Sequence, residues 1–194
     1  MTREAEISAG SDQMLRHVLI VGGTPGQWAA TGVEQWKHRL ADLGKVADHI
    51  GASWLTIRPY GPGSAATAVD RVADAPTASA TARRTDIVGG CTVVADDEVD
   101  GRQRLVAAIE SLRVAGTEIT EATIAVALNS PALADPDLVV VLGPDHRLPP
   151  SLVWELAYSE LVFFDVDWAE LQPAHVEKAI DEFHHRHRRF GGLD

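Results

Sequence analysis

The 194-residue sequence has a single cysteine, Cys91, so no internal disulfide can form and the chain suits a reducing compartment. Cys91 lies in an apolar, strand-like run, where a thiol packs as a small hydrophobe rather than serving as a nucleophile. Positive charge is scarce: 17 Lys and Arg stand against 28 Asp and Glu, a formal net charge of −11. That balance excludes general nucleic-acid binding, which needs a cationic face to release counterions. It also gives no long-range attraction for an anionic ligand, which would need a local cluster or a metal. Long apolar runs are missing too. The strongest, residues 152–164, is interrupted by Glu155 and Glu160 and cannot span a bilayer. The first residues are polar and acidic, unlike a secretory signal. These absences predict a soluble, cytoplasmic protein that reaches a membrane only peripherally or through a partner.

What is present suffices for one core. The hydrophobic fraction is 45%, and the length fits a single domain over 16–194 behind a loose polar tail of residues 1–15. His17 to Val21 has the composition of a short buried strand closed by glycines. From Val33 to Ile50, Trp36, Leu40, Leu43, Val46 and Ala47 recur at helical spacing, and Gly51 stops the helix. Ser53 to Tyr60 predicts a second strand. Residues 61–85 lack large side chains apart from Val69 and Val72, which predicts a flexible loop.

Val88 to Ala95 predicts a strand, and a helix follows from Gly101 to Ala115 with Leu105, Val106, Ile109 and Leu112 as its apolar face. Thr120 caps a helix reaching about Leu128. Leu138 to Leu142 is uninterrupted and aliphatic, the mark of a strand covered on both faces. A helix is expected over 150–159, a strand over 161–166, and a last helix from Pro173 to about Arg189. Strands separated by helices predict the α/β class: a mainly parallel central sheet with helices on both faces.

Gly22 to Gly26 forms a glycine-rich strand-to-helix turn, a place where backbone N–H groups can cradle phosphate. It is neither a Walker loop nor a Gly-x-Gly-x-x-Gly fingerprint, and taken alone such a turn is usually just a tight connection. The basic run His184 to Arg189 complements the dipole at a helix end, and its arginines would repel a metal ion.

The segment from Val153 to Trp168, the closing Arg188-Arg189-Phe190-Gly191-Gly192, and His17 followed by four apolar residues, a glycine-rich turn and Trp28 together resemble the cis-prenyltransferase (undecaprenyl diphosphate synthase) family. Where that family reads Asp-Gly-Asn-Gly-Arg-Trp, this chain reads Gly23-Thr24-Pro25-Gly26-Gln27-Trp28. The catalytic acid is absent. A second stretch aligns the family's Arg-Thr-Gly-Gly with Val141, Leu142, Gly143 and Pro144, while Asp145, His146 and Arg147 keep their type and Pro149 replaces a Ser.

The resemblance implies a reaction in which an allylic diphosphate is joined to isopentenyl diphosphate, with Mg²⁺ neutralising the leaving group. Gly23 offers no ligand for Mg²⁺, and Gln27 lacks the charge of a guanidinium. The implied residual roles are diphosphate binding by Arg147 and Gly26, a metal contact by Glu160, and a dimer interface at Trp154, Tyr158 and Phe163. Arg189 and Gly191 match an Arg-x-Gly tail that reaches into a partner's active site. The expectation is a non-catalytic subunit, similar in logic to the Nogo-B receptor, with no catalytic residue and no cofactor of its own and with Mg²⁺ present only in assembly with a catalytic paralogue. Two alternatives stay open at this stage: a divergent prenyltransferase with its own activity, and a homodimer that binds a phosphorylated lipid.

Overall fold

The computed structural model describes residues 14–61, 83–144 and 147–190. Six strands form one sheet: β1 (His17–Val21), β2 (Trp54–Arg58), β3 (Arg84–Val88), β4 (Cys91–Ala95), β5 (Leu138–Leu142) and β6 (Glu160–Phe164). Their order is β3-β4-β2-β1-β5-β6. All neighbours are parallel except β3 and β4, which pair antiparallel. The helices are α1 (Pro25–Ala30), α2 (Val33–His49), α3 (Gly101–Ala115), α4 (Glu121–Asn129) and α5 (Pro173–Phe190). The α/β architecture with a mainly parallel sheet is therefore observed.

Alternation along β1 sorts its side chains between two cores. Val18 and Ile20 join Trp28, Trp36, Leu40, Leu43, Val176, Ile180 and Phe183 under α2 and α5. Leu19 and Val21 face the other way, onto Val139, Val141 and Leu152. The second core is smaller, and its edge is ionic rather than apolar. Leu138 to Leu142 is buried throughout, as its composition requires. Cys91 is buried in the first core, and burial followed by the Asp48 charge pushes its thiol up to about 11.

Local chemistry sets the helix ends. Thr24 caps α1, with Pro25 at its first position. Asp100 caps α3 by accepting from Arg102 and Gln103 N–H, and Gly116 closes it at φ 67°. Thr120 caps α4.

Several expectations need correction. Leu15 is buried, so the polar tail ends before it; residues 1–13 lie outside the described residues. The strand expected from Val88 is a hairpin that starts at Arg84 and turns at Gly89-Gly90, so the small-residue loop is shorter than 61–85; its residues 62–82 lie outside the described residues. In α3, Val106 is exposed and Leu105, Ile109 and Leu112 are only half-buried, while Arg104 and Ala108 turn inward. The helix expected over 150–159 is a single 3₁₀ turn, Glu155–Ala157. Arg104 turns inward to pair with the buried Glu155, which lies on that 3₁₀ turn.

Candidate functional site

Ligands of open parallel sheets bind beyond the carboxyl ends of the strands, where the strand order reverses. Here that point lies between β1, whose chain continues to β2 on one side, and β5, whose chain continues to β6 on the other. The loops leaving β1 and β5 flank the crevice. Gly22 N–H donates to Arg58 O at 3.0 Å, and Tyr60 N–H donates to Gly23 O at 2.7 Å. The Tyr60 hydroxyl donates to Arg147 O at 2.7 Å, so one residue ties both loops together.

The Gly22–Gly26 turn has spent much of its donor capacity internally. Thr24 N–H donates to Gln27 Oε1 at 2.8 Å, and Gln27 N–H donates to Thr24 Oγ1 at 3.2 Å. Pro25 has no N–H to offer. Gln27 Nε2 donates to the Asp167 carboxylate at 3.3 Å. Gly23 itself is closed. Its φ is 76°, and a Cβ there would fall 2.6 Å from Trp168 Cγ. Trp168 stacks on Trp28 with centroids 5.4 Å apart, and the Arg39 guanidinium covers its ring at 4.2 Å. A cleft of about 670 Å³ lies alongside, lined by Gln27, His38, Arg39, Asp42, Trp168 and Gln172 among others.

The family model described as "Putative undecaprenyl diphosphate synthase" matches residues 72–191. The chain belongs to this family. Among curated relatives, it is 40% identical over 98 residues to the ditrans,polycis-undecaprenyl-diphosphate synthase ((2E,6E)-farnesyl-diphosphate specific) of Lactiplantibacillus plantarum, covering 49% of this chain and 38% of that protein. It is 45% identical over 71 residues to isoprenyl transferase 2 of Bradyrhizobium diazoefficiens, covering 37% of this chain and 28% of that one. The matched stretch is thus well under half of each of these two relatives. The fold is shared with a probable undecaprenyl diphosphate synthase from Campylobacter jejuni, with a TM-score of 0.55, 15% identity, and coverage of 87% of this chain and 94% of that one. It is shared also with the lavandulyl diphosphate synthase of Lavandula x intermedia, solved in complex with dimethylallyl diphosphate, with a TM-score of 0.54, 16% identity, and coverage of 88% and 95%.

In a prenyltransferase frame, the site residues expected from the sequence separate. Gly26 is on the first turn of α1 and Arg147 in the loop after β5, on the two sides of the crevice that Tyr60 joins through Gly23 O and Arg147 O. Glu160 opens β6, and its Oε1 lies 3.3 Å from Arg186 NH1 on α5. A carboxylate held by a guanidinium is poorly placed to ligate a divalent cation. Among the described residues no group of three or more His, Cys, Asp or Glu is arranged to hold a metal. Gly23, at the acid position, offers no carboxylate for Mg²⁺, and Gln27 offers no guanidinium charge for a phosphate. Trp154 is half-buried, and Phe163 packs against the second core. Tyr158 is 67% exposed, and its hydroxyl donates to Glu121 Oε1 at 2.9 Å. Arg189 is on the last turn of α5 with its side chain outside the described residues, and Gly191 lies outside them altogether, as do Asp145 and His146.

Sequence reasoning missed the most charged feature of the interior. Arg58, at the end of β2, and Arg104, on the first turn of α3, both bond the buried Glu155, the latter at 3.1 Å. Arg104 also donates to Ser151 O at 3.4 Å and Leu128 O at 2.9 Å. Burial works to raise the Glu155 carboxyl, but Arg58 and Arg104 together outweigh it and hold it at about 2. Burial, then the Arg104 charge, lowers Arg58 to about 10, which leaves it charged at neutral pH. The available signals were an arginine closing a buried strand and an acid interrupting an apolar run. Below the sheet's other end, His17 is buried between Ala134 O and Thr56 Oγ1, both at 2.8 Å, and burial lowers it to about 4.

Proposed function

We propose that this protein is a non-catalytic subunit of a heteromeric cis-prenyltransferase, which makes polyprenyl diphosphates from isopentenyl diphosphate. One observation carries the reading: at the family's acid position stands Gly23, with a left-handed backbone and the Trp168 indole against its Cα, so the position neither has a carboxylate nor has room for one. Departure of diphosphate from an allylic carbon without a held cation would leave the developing charge unbalanced. Mg²⁺ would then belong to a catalytic paralogue. Arg189 and Gly191 would complete that partner's site, and Trp154, Tyr158 and Phe163 would face it. Arg147 and Gly26 would retain a diphosphate contact at the crevice. In this reading the protein works in the cytoplasm and meets the membrane only through its partner.

The test is reconstitution with a paralogue that retains its Asp. The chain alone is expected to transfer no isopentenyl units in the presence of Mg²⁺, and the pair is expected to be more active than the paralogue alone. Arg189→Ala should lower turnover of the pair by about tenfold or more while assembly persists. A paralogue indifferent to this chain, or Mg²⁺-dependent transfer by the chain alone, would overturn the proposal.

A further inference from the structure

Burying two guanidiniums with one carboxylate is costly, and for fold alone such a group is often replaceable by apolar residues without loss. The cluster here is not even fully satisfied: Arg58 Nε and Glu155 Oε2 have no hydrogen-bond partner among the described residues. Its location gives it a use. Arg58 belongs to the hydrogen-bonded junction of Gly22, Gly23 and Tyr60, through which Arg147 O is held. Arg104 holds Ser151 O, and near it Gly101 N–H donates to Pro150 O at 3.1 Å. Glu155 is where both guanidiniums converge.

The segment it anchors has little regular structure of its own. Between residues 147 and 158 the regular structure is one 3₁₀ turn, and Leu148, Val153, Leu156 and Tyr158 are all exposed. An exposed apolar segment does not fold back on its own account, so its shape must come from the few side chains it buries. Those are Pro149, Ser151 and Glu155, together with Leu152 in the second core.

We propose that Glu155 is a positioning residue: by drawing Arg58 and Arg104 onto one carboxylate, it holds residues 147–158 in the conformation that presents Arg147 to a diphosphate and Trp154 and Tyr158 to a second subunit. The inference rests on the subunit reading for what is presented, but the positioning itself is separable from it. Glu155→Gln keeps the shape of the side chain and removes the charge both arginines share.

Hydrogen exchange of the full chain, wild type against Glu155→Gln, is the direct measurement. Exchange in peptides covering 147–158 should rise about tenfold or more, with β1 and β5 unchanged, because a charge-assisted buried contact is lost locally. Binding of inorganic diphosphate, followed by calorimetry, should weaken both in Glu155→Gln and in Arg147→Ala. Should Glu155→Gln fail to fold, Arg104→Met leaves a one-to-one pair of Arg58 and Glu155 and should loosen the same peptides less. Unchanged exchange over 147–158, or a rise shared equally by β1 and β5, would overturn the positioning role. Selective loosening in a protein whose wild type binds neither diphosphate nor a paralogue would uphold that role and overturn the subunit reading instead.

Discussion

At the scale of single residues, Gly23 decides what chemistry this chain can host. The sequence shows that an acid is missing there; the structure adds that none can be put back simply. An L-residue at φ 76° costs about 1–2 kcal/mol in backbone strain, and a Cβ 2.6 Å from the Trp168 ring must move an indole stacked on Trp28 and covered by Arg39. Overpacking of that kind adds about 1–3 kcal/mol. Gly23→Ala should therefore lower stability by about 2–5 kcal/mol in total, read as a lower denaturation midpoint at unchanged slope. In a Trp168→Ala background the steric part disappears, and Gly23→Ala should cost only about 1–2 kcal/mol. The same cost of about 1–2 kcal/mol in the wild-type background would show that the indole yields freely. Gly23→Asp is expected to destabilise without restoring a metal site, since Glu160 stays paired with Arg186.

At the scale of elements, the β3–β4 hairpin shows where sequence reading succeeded and where it stopped. Periodic segments with clear ends were legible: α2 between Val33 and Gly51 and α5 from Pro173, while α3 was legible in its extent, Gly101 to Ala115, but not in its buried face. The hairpin was not, because Arg84 and Thr85 look like the end of a polar loop, and only pairing with β4 makes them strand. Gly89-Gly90 was the unused signal. Gly89 has φ 60° and Gly90 does not share it, as in a type II′ turn. Asp48, from the end of α2, accepts from Gly90 N–H at 2.7 Å and crowds Gly89, where a Cβ would lie 2.2 Å from its Oδ2. The Arg58–Glu155–Arg104 cluster was illegible for a different reason, since charges 97 and 51 residues apart in the chain leave no periodic trace. Gly89→Ala should cost about 2–3 kcal/mol, and Asp48→Ala about 1 kcal/mol. Combined, they should cost less than their sum, because Asp48 is the group that Gly89→Ala displaces. Strict additivity in urea unfolding would show that the turn conformation alone sets the cost.

At the scale of the whole molecule, two buried titratable groups at opposite ends of the sheet set the response to acid. His17 is held neutral at about 4 against 6.5 when unfolded, so between those values the unfolded chain binds the extra proton. Stability is then complete above pH 6.5 and declines as pH falls to about 4, by about 3 kcal/mol from this group. Glu155 shifts down as well, from 4.5 to about 2, but it is an acid. Its contribution is present above pH 4.5 and is lost as pH falls toward 2. The two limbs adjoin, so the wild type should lose stability continuously from pH 6.5 downward. The net charge of −11 at neutral pH works against this at first, because its loss on approach to the isoelectric point near 5.1 relieves self-repulsion. That relief is not specific to one residue, and the His17 limb is. His17→Gln preserves hydrogen bonding to Ala134 and Thr56 in kind while removing the titration. Denaturation midpoints from pH 8 to 3, at low protein concentration to avoid association near pH 5, should show the upper limb flattened in His17→Gln and the limb below pH 4.5 intact. Parallel profiles for wild type and His17→Gln between pH 6.5 and 4.5 would mean that His17 is not the group that senses acid.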